Sequence, residues 1–542
     1  MSEDVMPPST PDAAPDSARR SRQIVNSTVI VMIAFGTAKA ISLVQTFIIA
    51  RVFGVGSEWD TFVAANSIPE TIFTLIAGGA LGHAFIPIFS GYLARGDDEG
   101  AWKIASRVVN TVFLMALIAS VIAFVIAPIL VSSFVAPGFT PEAQTQTAAL
   151  MRIALISTLI FAVSGLVSGV LQSFNRFLLP ALAPILFDVG ILFGVVFLTR
   201  PFGVYGIAYG AVLGAALHLG IQIPGLLRVK ARWTPILDWR DPTLRRIIRL
   251  MLPRIAGLGV FQLNFIVMNN IASRLGEGSV SALSWGWRLM QIPQTLIGTA
   301  MGVVIFPTLA ALSERGDADG KRAAMSGALR FILAASIPAS IGLIVVGRPL
   351  ISLLEGGAFD ATASTLVFST LQFFALGIVV HSMLEVVARS FYADKDTLTP
   401  LWAALGGAAI NLGLAWYFGE QGQVSGLALA NSLGTAFEVL VLLGLLRRRW
   451  HGINESALGR TTAKALAASL VMALAVLAVD ALWVALGFAN RGIALTLVEI
   501  GVQVAVGGIA FITAAAVLRM EEMSILRRLI MERIRGRRTV TV

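Results

Sequence analysis

Apolar residues fill long stretches of this chain, and short polar segments separate these stretches from one end to the other. Most of them are as long as the roughly 20 apolar residues that cross a bilayer as one α-helix. The pattern therefore predicts an all-α polytopic membrane protein with about 14 transmembrane helices. The predicted spans are 25–53, 60–94, 102–134, 142–172, 178–199, 204–228, 246–273, 279–313, 323–353, 361–392, 399–418, 423–446, 461–486 and 492–519.

The two ends of the chain differ from the stretches between them. Residues 1–23 are polar and rich in Pro, Ser and Asp, which predicts a disordered tail. The apolar stretch that follows is too long for a signal-peptide core and shows no clear cleavage site, so we interpret it as a retained first helix. Residues 520–542 form a basic amphipathic tail.

Composition supports a lipid environment and excludes several kinds of site. Hydrophobic residues make up 56% of the chain and charged residues 13%, whereas soluble domains carry roughly 25% charged residues. The chain has no cysteine, which excludes disulfides and thiolate metal sites, and its four histidines show no ligand spacing. We therefore expect no cofactor.

Charge predicts the orientation of the chain in the membrane. The net charge is +10, but its basic residues cluster in every second loop, while the other loops carry about one arginine or none. The positive-inside rule then places the basic loops and both termini in the cytoplasm and requires an even number of spans. Because the charge is explained by topology, no nucleic-acid partner is expected.

The chain also repeats itself at an offset of about 220 residues. The segment 85–100, FIPIFSGYLARGDDEG, resembles 305–320, IFPTLAALSERGDADG. An even number of helices per repeat gives both halves the same orientation, a symmetry that suits alternating access. The predicted divisions are a tail at 1–23, lobe one at 24–229, a cytoplasmic linker at 230–243, lobe two at 244–449, an extra helix pair at 450–519 and a basic tail at 520–542.

Ionisable residues inside spans are costly and usually face a cavity or a partner. Lys39, Arg254 and Arg288 are cations of this kind from both predicted lobes, so we expect them to converge on one cavity. Such a cavity would attract an anion such as a lipid diphosphate, for which arginine is a bidentate ligand. The alternative is that each cation pairs with a neighbouring acid or reaches toward the membrane surface.

Three further predictions concern polar residues near or inside the spans. Arg51 and Asp60, at the ends of the first two spans, are candidates to pair with each other. Asn411 and Asn431 are weak candidates for a cation site, with helix packing as the alternative. The chain has no GxxxxGK[ST] motif and no catalytic Ser-His-Asp grouping, which favours a transporter over an ATPase or another enzyme.

Three motifs resemble one known family: ARVFGVGSEWDTF at 50–62, GGALGHAFIPIFSGY at 78–92 and SWGWRLMQIPQTLIGTAMGVVIFPTL at 284–309. They are similar to signatures of the MurJ (MviN) family of the MOP exporter superfamily. The resemblance implies fourteen helices, in two six-helix lobes and an extra pair. It also implies a flippase that moves lipid II, the undecaprenyl-diphosphate-linked peptidoglycan precursor, from the inner to the outer leaflet of the bacterial inner membrane. The driving force it implies is the membrane potential, with sodium as a second candidate.

The resemblance assigns roles to particular residues. Arg288 matches an essential cavity arginine of the family, Asp60 matches its acid at the start of the second helix, and Lys39 stands where the family has an essential arginine. Four other positions depart from the family pattern, three by losing a cation and one by losing an acid: Gln45, Ser67 and Phe73, and Gly78. The chain is therefore identified as a divergent member, and the resemblance implies lipid II or another polyprenyl-diphosphate glycan as its substrate.

Two other functions remain open at this point. A cation-coupled multidrug or small-molecule exporter of the same superfamily would have an acidic cavity, with Glu70, Glu385 and Glu438 facing inward. A scaffold for cell-wall synthesis proteins would use the basic tail to dock a partner or anionic membrane lipids.

Overall fold

The fold is a set of helices joined by short turns. The computed structural model describes residues 41–76, 80–488 and 492–522, without the side chains of 80–84, 250, 253 and 254. Within these ranges the only β-type pairing is an isolated bridge between Gly356 and Phe359. The apolar stretches thus form helices, as their length predicts.

The helices are numbered here in chain order, and three of them continue directly into a π-helical turn. The first ten are α1 Ile41–Phe53, α2 Ser57–Ile76, α3 Ala80–Ala94, α4 Asp98–Val125, α5 Ala127–Leu130, α6 Pro141–Ser173, α7 Leu178–Phe193, α8 Thr199–Phe202, α9 Tyr205–Gly220 and α10 Ile223–Arg228. The others are α11 Pro242–Ser273, α12 Ser279–Gln294, α13 Ala300–Glu314, α14 Ala318–Ser352, α15 Ala361–Ala393, α16 Leu398–Glu420, α17 Val424–Arg449, α18 Glu455–Ala485 and α19 Ile493–Val517. The π-helical turns are Val131–Val135, Gly194–Leu198 and Thr295–Thr299.

The predicted spans are found as helices. Twelve helical segments of the described chain are long and apolar enough to cross a membrane, and they coincide with the third to fourteenth predicted spans. Shorter apolar helices at Ile41–Phe53 and Phe85–Ala94 lie within the first and second. The predicted fold class, an all-α polytopic membrane protein, is confirmed.

Two predicted spans are interrupted in the structure, and one of them, 204–228, divides at 221–222 between α9 and α10. The span 102–134 is interrupted at Ile126, between α4 and α5, and it ends in a π-helical turn. Proline has no backbone N–H and its ring collides with the preceding turn. Pro128 therefore accounts for the break.

Backbone contacts group the described residues into two compact units. The first contains 41–46, 80–117 and 156–247. The second contains 47–76, 118–155, 248–488 and 492–522. The predicted lobes at 24–229 and 244–449 stay a prediction, because these units follow contacts and not the sequence repeat.

The sequence repeat reappears as the same local structure in each unit. In the first unit the Asp97 carboxylate accepts a hydrogen bond from the backbone N–H of Gly100, at 2.8 Å, and so caps the start of α4. In the second unit Asp317 accepts from Gly320 at 2.7 Å and caps α14. The two RGD-x-x-G loops are therefore helix caps, which explains why their aspartates recur.

Glycines allow one helix crossing in each unit to be unusually close. A Cβ added to Gly190 of α7 would lie 2.3 Å from the Cα of Gly214 on α9. In the second unit, a Cβ added to Gly434 of α17 would lie 2.6 Å from the carbonyl oxygen of Gly407 on α16. Small residues bring membrane helices together through van der Waals contact of their backbones.

The predicted linker before α11 is held against α4 within the first unit. Asn110 donates to the carbonyl oxygen of Thr234 at 2.8 Å, and its own side-chain oxygen accepts from the indole of Trp233 at 2.8 Å. Arg107 forms an ion pair with Asp241. Trp233 remains 65% exposed, as expected for an aromatic side chain at a membrane surface.

Candidate functional site

The site lies in the second unit, where two of the motifs that carry the family resemblance meet. Asp60 of α2 accepts hydrogen bonds from the backbone N–H groups of Gly278, at 2.7 Å, and Ser281, at 2.6 Å. It also accepts a bond from the Ser281 hydroxyl. Only 2% of Asp60 is exposed. The carboxylate therefore satisfies donors at the start of α12, which helix geometry would otherwise leave without partners.

Aromatic stacking strengthens this junction. The rings of Trp59 and Trp285 stack with centroids 5.5 Å apart, and Phe53 stacks on Trp59 at 5.9 Å. The Trp285 indole donates a hydrogen bond to the carbonyl oxygen of Gly54 at 3.3 Å. Both tryptophans are 1% exposed, so α1, α2 and α12 share one packed aromatic cluster.

The predicted pair between Arg51 and Asp60 is wrong. Arg51 donates instead to the carbonyl oxygen of Leu353 at 3.4 Å, and its own carbonyl accepts from Ala358 at 2.9 Å. The physical reason is that the Asp60 carboxylate is already occupied by the donors at the start of α12. Charge-assisted bonds to such donors are short and strong.

Further along the same two helices, Glu70 and Arg288 lie near each other. Glu70 is ten residues beyond Asp60, and Arg288 is ten residues beyond Gly278, so each is about 15 Å from the junction along its own helix. Their opposite charges interact electrostatically. Within the described chain neither side chain forms a hydrogen bond or an ion pair, and both are exposed.

Arg288 is an exposed charge inside a membrane span, and this limits what can surround it. Contact between a guanidinium and hydrocarbon is costly, so charged side chains in spans face protein or a water-filled space. Arg288 has no direct partner among the described residues. Its predicted role as a ligand of an anion stays a prediction.

The other two predicted cavity cations fall outside the described side chains. Lys39 and Gly78 lie outside the described residues, and the side chain of Arg254 is not described. The convergence of Lys39, Arg254 and Arg288 stays a prediction, as does a direct substrate role for Asp60.

The resemblance implies that a cation is lost at Gln45 and at Ser67. The first of these side chains is buried and the second is hydrogen-bonded. Gln45, in the first unit, is 8% exposed. Ser67, in the second unit, accepts a hydrogen bond from Asn269 of α11 at 3.0 Å. Ser67 thus links two helices where the family pattern has a charge.

The acids of the exporter alternative do not form an uncompensated group. Glu385 forms an ion pair with Arg389 one turn later, at 2.7 Å. Glu70 lies beside Arg288, and Glu438 is partly buried on α17. Two of the three acids therefore have a cation nearby, which does not favour a net acidic cavity.

Asn411 and Asn431 are brought together in a buried polar cluster of the second unit. Asn411 donates to the side-chain oxygen of Asn264 at 2.6 Å, and Asn431 is 3.1 Å from the His381 ring nitrogen. The amide nitrogens of both lie near the Met268 sulfur, at 3.7 and 3.9 Å. The Asn411 side-chain oxygen is buried without a hydrogen-bond partner.

The side chains of this cluster offer a cation only uncharged ligand atoms. A hard cation prefers several oxygen ligands, and a thioether is a poor one. In the described chain no three His, Cys, Asp or Glu residues lie together as metal ligands. The cation site stays a prediction, and the sequence missed Asn264 and His381 because no local spacing connects them to the two asparagines.

Comparison with known proteins identifies the family. The family model described as lipid II flippase MurJ matches residues 49–502, which includes both motifs that meet at the Asp60 junction. The chain belongs to the lipid II flippase MurJ family. The lipid II flippase MurJ of Burkholderia cenocepacia is 30% identical over 447 residues, which cover 80% of this chain and 86% of that protein. A probable lipid II flippase MurJ from Vibrio cholerae is 26% identical and covers 89% and 95% of the two chains.

Solved structures share the fold. A lipid II flippase MurJ in an inward closed conformation matches with a TM-score of 0.75 at 23% identity, covering 93% of this chain and all of that one. An inward-facing multidrug resistance MATE family transporter of the MOP superfamily matches with a TM-score of 0.65 at 17% identity, covering 80% and 99%. The expected membership of the MurJ family is confirmed by the family model, and the likeness to a MOP superfamily transporter is one of fold.

Proposed function

We propose that this protein is a flippase for lipid II, which it moves from the inner to the outer leaflet of the bacterial inner membrane by alternating access. Both termini would then lie in the cytoplasm, as the loop charges predict. Family membership supports the substrate class. The observation that carries the proposal at the site is Arg288, an exposed guanidinium in a membrane span with no direct partner among the described residues.

The chemistry required of Arg288 is binding without bond cleavage. A planar guanidinium donates two parallel hydrogen bonds to phosphate oxygens, and its charge does not depend on pH in the physiological range. A lipid diphosphate presents such oxygens at the end of an apolar tail. The protein needs to hold the head group across the apolar layer and release it, so its function is transport and not catalysis.

The membrane potential supplies a suitable driving force. An inside-negative potential favours outward movement of an anion by about 2.3 kcal/mol per charge at 100 mV. A diphosphate head group carries more than one negative charge, so the potential alone would bias its export. Coupling to sodium, and docking to cell-wall synthesis proteins, stay predictions.

Translocation of lipid II in reconstituted vesicles tests the proposal. We expect the parent protein to move fluorescent lipid II to the opposite leaflet and Arg288→Ala to lose most of this activity. Arg315→Ala is the matched control, because Arg315 is exposed in the loop before α14 and should behave as the parent. A parent protein that moves no lipid II beside an active flippase from the family would refute the proposal.

The same vesicles separate lipid II from other polyprenyl-diphosphate glycans. Unlabelled competitors that share the diphosphate but differ in the glycan should compete poorly if the peptidoglycan head group is recognised. Equal competition by an unrelated glycan would assign the protein to a broader polyprenyl-diphosphate class.

A further inference from the structure

Glu70 is an acid whose charge acts on Arg288 at the candidate anion site. It lies on α2 at the same residue count from the Asp60 junction as Arg288 does on α12. The two helices are joined at that junction by hydrogen bonds and stacked tryptophans. Both helices run on from this junction, so ten residues place Glu70 and Arg288 at about the same distance along them, about 15 Å, where their opposite charges interact.

The environment of Glu70 differs from those of Asp60 and Ser67 on the same helix. Asp60 is buried and bonded to α12, and Ser67 is bonded to α11. Glu70 is exposed and has no hydrogen bond or ion pair within the described chain. It therefore holds no helix in place, yet its charge is close enough to act on Arg288.

We propose that Glu70 is an affinity-determining residue for the anionic substrate: its carboxylate offsets the charge of Arg288 while the site is empty and repels the diphosphate once it is bound. This inference rests on the proposed function. A site with one free cation and no opposing acid would bind a diphosphate more tightly and release it more slowly. Glu70 weakens binding so that the head group can leave on the other side of the membrane.

The physical basis is Coulombic and makes a specific demand on the ligand. Repulsion between a carboxylate and a phosphate group grows with the charge of the ligand and with the low dielectric of a membrane span. Removal of the Glu70 charge should therefore strengthen binding of a diphosphate more than binding of a monophosphate with the same tail. A purely structural role for Glu70 would not distinguish the two ligands.

Binding of farnesyl diphosphate and farnesyl monophosphate to the full-length protein in detergent provides the test. We expect Glu70→Gln to lower the Kd for the diphosphate about tenfold, which corresponds to about 1.4 kcal/mol, and the Kd for the monophosphate by less. Glu70→Asp keeps the charge and should bind as the parent does. Glu58→Gln removes an exposed acid from the first turn of the same helix and is the matched control.

Transport adds a second readout. Tighter ground-state binding slows a cycle in which release limits the rate, so Glu70→Gln should flip lipid II more slowly at saturating substrate. Thermal unfolding of each variant, measured in the same detergent, shows whether it is folded.

The outcomes distinguish this inference from the proposed function. If the parent binds the diphosphate and Arg288→Ala abolishes binding, but folded Glu70→Gln binds both ligands as the parent does, the inference about Glu70 is overturned and the proposed function stands. If the Kd values fall equally for the diphosphate and the monophosphate, the inference is also overturned. If the parent neither binds the diphosphate nor flips lipid II, the proposed function itself fails.

Discussion

Replacement of Asp60 distinguishes a structural acid from a substrate-binding acid. The resemblance implies that Asp60 belongs to the cavity, whereas its hydrogen bonds tie α2 to the start of α12. From these contacts we expect Asp60→Ala to reduce the free energy of unfolding strongly. The loss of transport would then follow from the loss of the junction.

The magnitude follows from the groups that lose their partner. An aspartate that bonds the N–H groups at a helix start contributes about 0.5–2 kcal/mol relative to alanine. Each buried N–H left without a partner costs about 1–3 kcal/mol, and Asp60→Ala would leave those of Gly278 and Ser281. The two ranges count the same lost hydrogen bonds in part, so we expect Asp60→Ala to lower the free energy of unfolding by about 3–5 kcal/mol in total. Ser281→Ala removes only the hydroxyl contact and should cost about 1 kcal/mol.

Unfolding in mixed micelles, followed by tryptophan fluorescence, measures these differences, because Trp59 and Trp285 lie in the junction. Hydrogen exchange should also become faster at the first turn of α12 in Asp60→Ala. Glu58→Ala, which changes an exposed neighbour of Asp60, should alter the free energy of unfolding by less than about 0.5 kcal/mol. Parent-like stability of Asp60→Ala together with abolished flipping would refute this reasoning and place Asp60 among the substrate ligands.

Three further predictions follow from other contacts. Gly434→Ala should destabilise the protein by about 1–3 kcal/mol, because the new methyl would lie 2.6 Å from a carbonyl oxygen of α16; Gly444→Ala on the same helix meets nothing within 4 Å and should not. Arg330→Gln should increase hydrogen exchange around Glu521, because Arg330 bonds Glu521 at 2.6 Å. The hydrogen bond from Arg330 lowers the pKa of Glu521, so the stabilisation is present at neutral pH and is lost as the pH falls through that lowered value. Asn411→Ala should make flipping less dependent on sodium if the polar cluster binds that ion; unchanged sodium dependence of an active variant would exclude the site.

The helices were predictable from sequence because each span is encoded locally. Apolar length alone identifies a membrane helix, and the aspartates of the two RGD-x-x-G loops cap helices that begin beside them. The break at Ile126 was missed, although Pro128 lies two residues later. A proline inside a long apolar run is compatible with a continuous bent helix as well as with a break, so the pattern of residues alone did not decide between the two.

The site was only partly predictable because its contacts join distant parts of the chain. Arg288 was found as a cation inside a predicted span and Asp60 through the family resemblance, yet Gly278, which bonds Asp60 at the start of α12, lies 218 residues away. Arg51 was a candidate partner because it and Asp60 lie at the ends of the first two predicted spans. Every residue except proline has a backbone N–H group, so the residue type does not reveal which carboxylate bonds it. Such hydrogen bonds can be predicted only once the relative positions of the helices are known.

The charge balance along α2 connects the divergence of this chain to its proposed mechanism. The resemblance implies that cations are lost at Ser67 and Phe73, and the same helix carries an acid, Glu70, whose charge acts on Arg288. Both differences reduce the positive potential around the anion site in the described part of the chain. A less positive site binds a diphosphate more weakly. The free energy needed to release the head group is smaller for the same reason. A transporter driven by the potential gains turnover from such a site as long as substrate concentration in the inner leaflet exceeds the Kd. Divergence at these positions is therefore compatible with a working flippase of lower affinity, and the Kd of Glu70→Gln measures how much of that reduction Glu70 supplies.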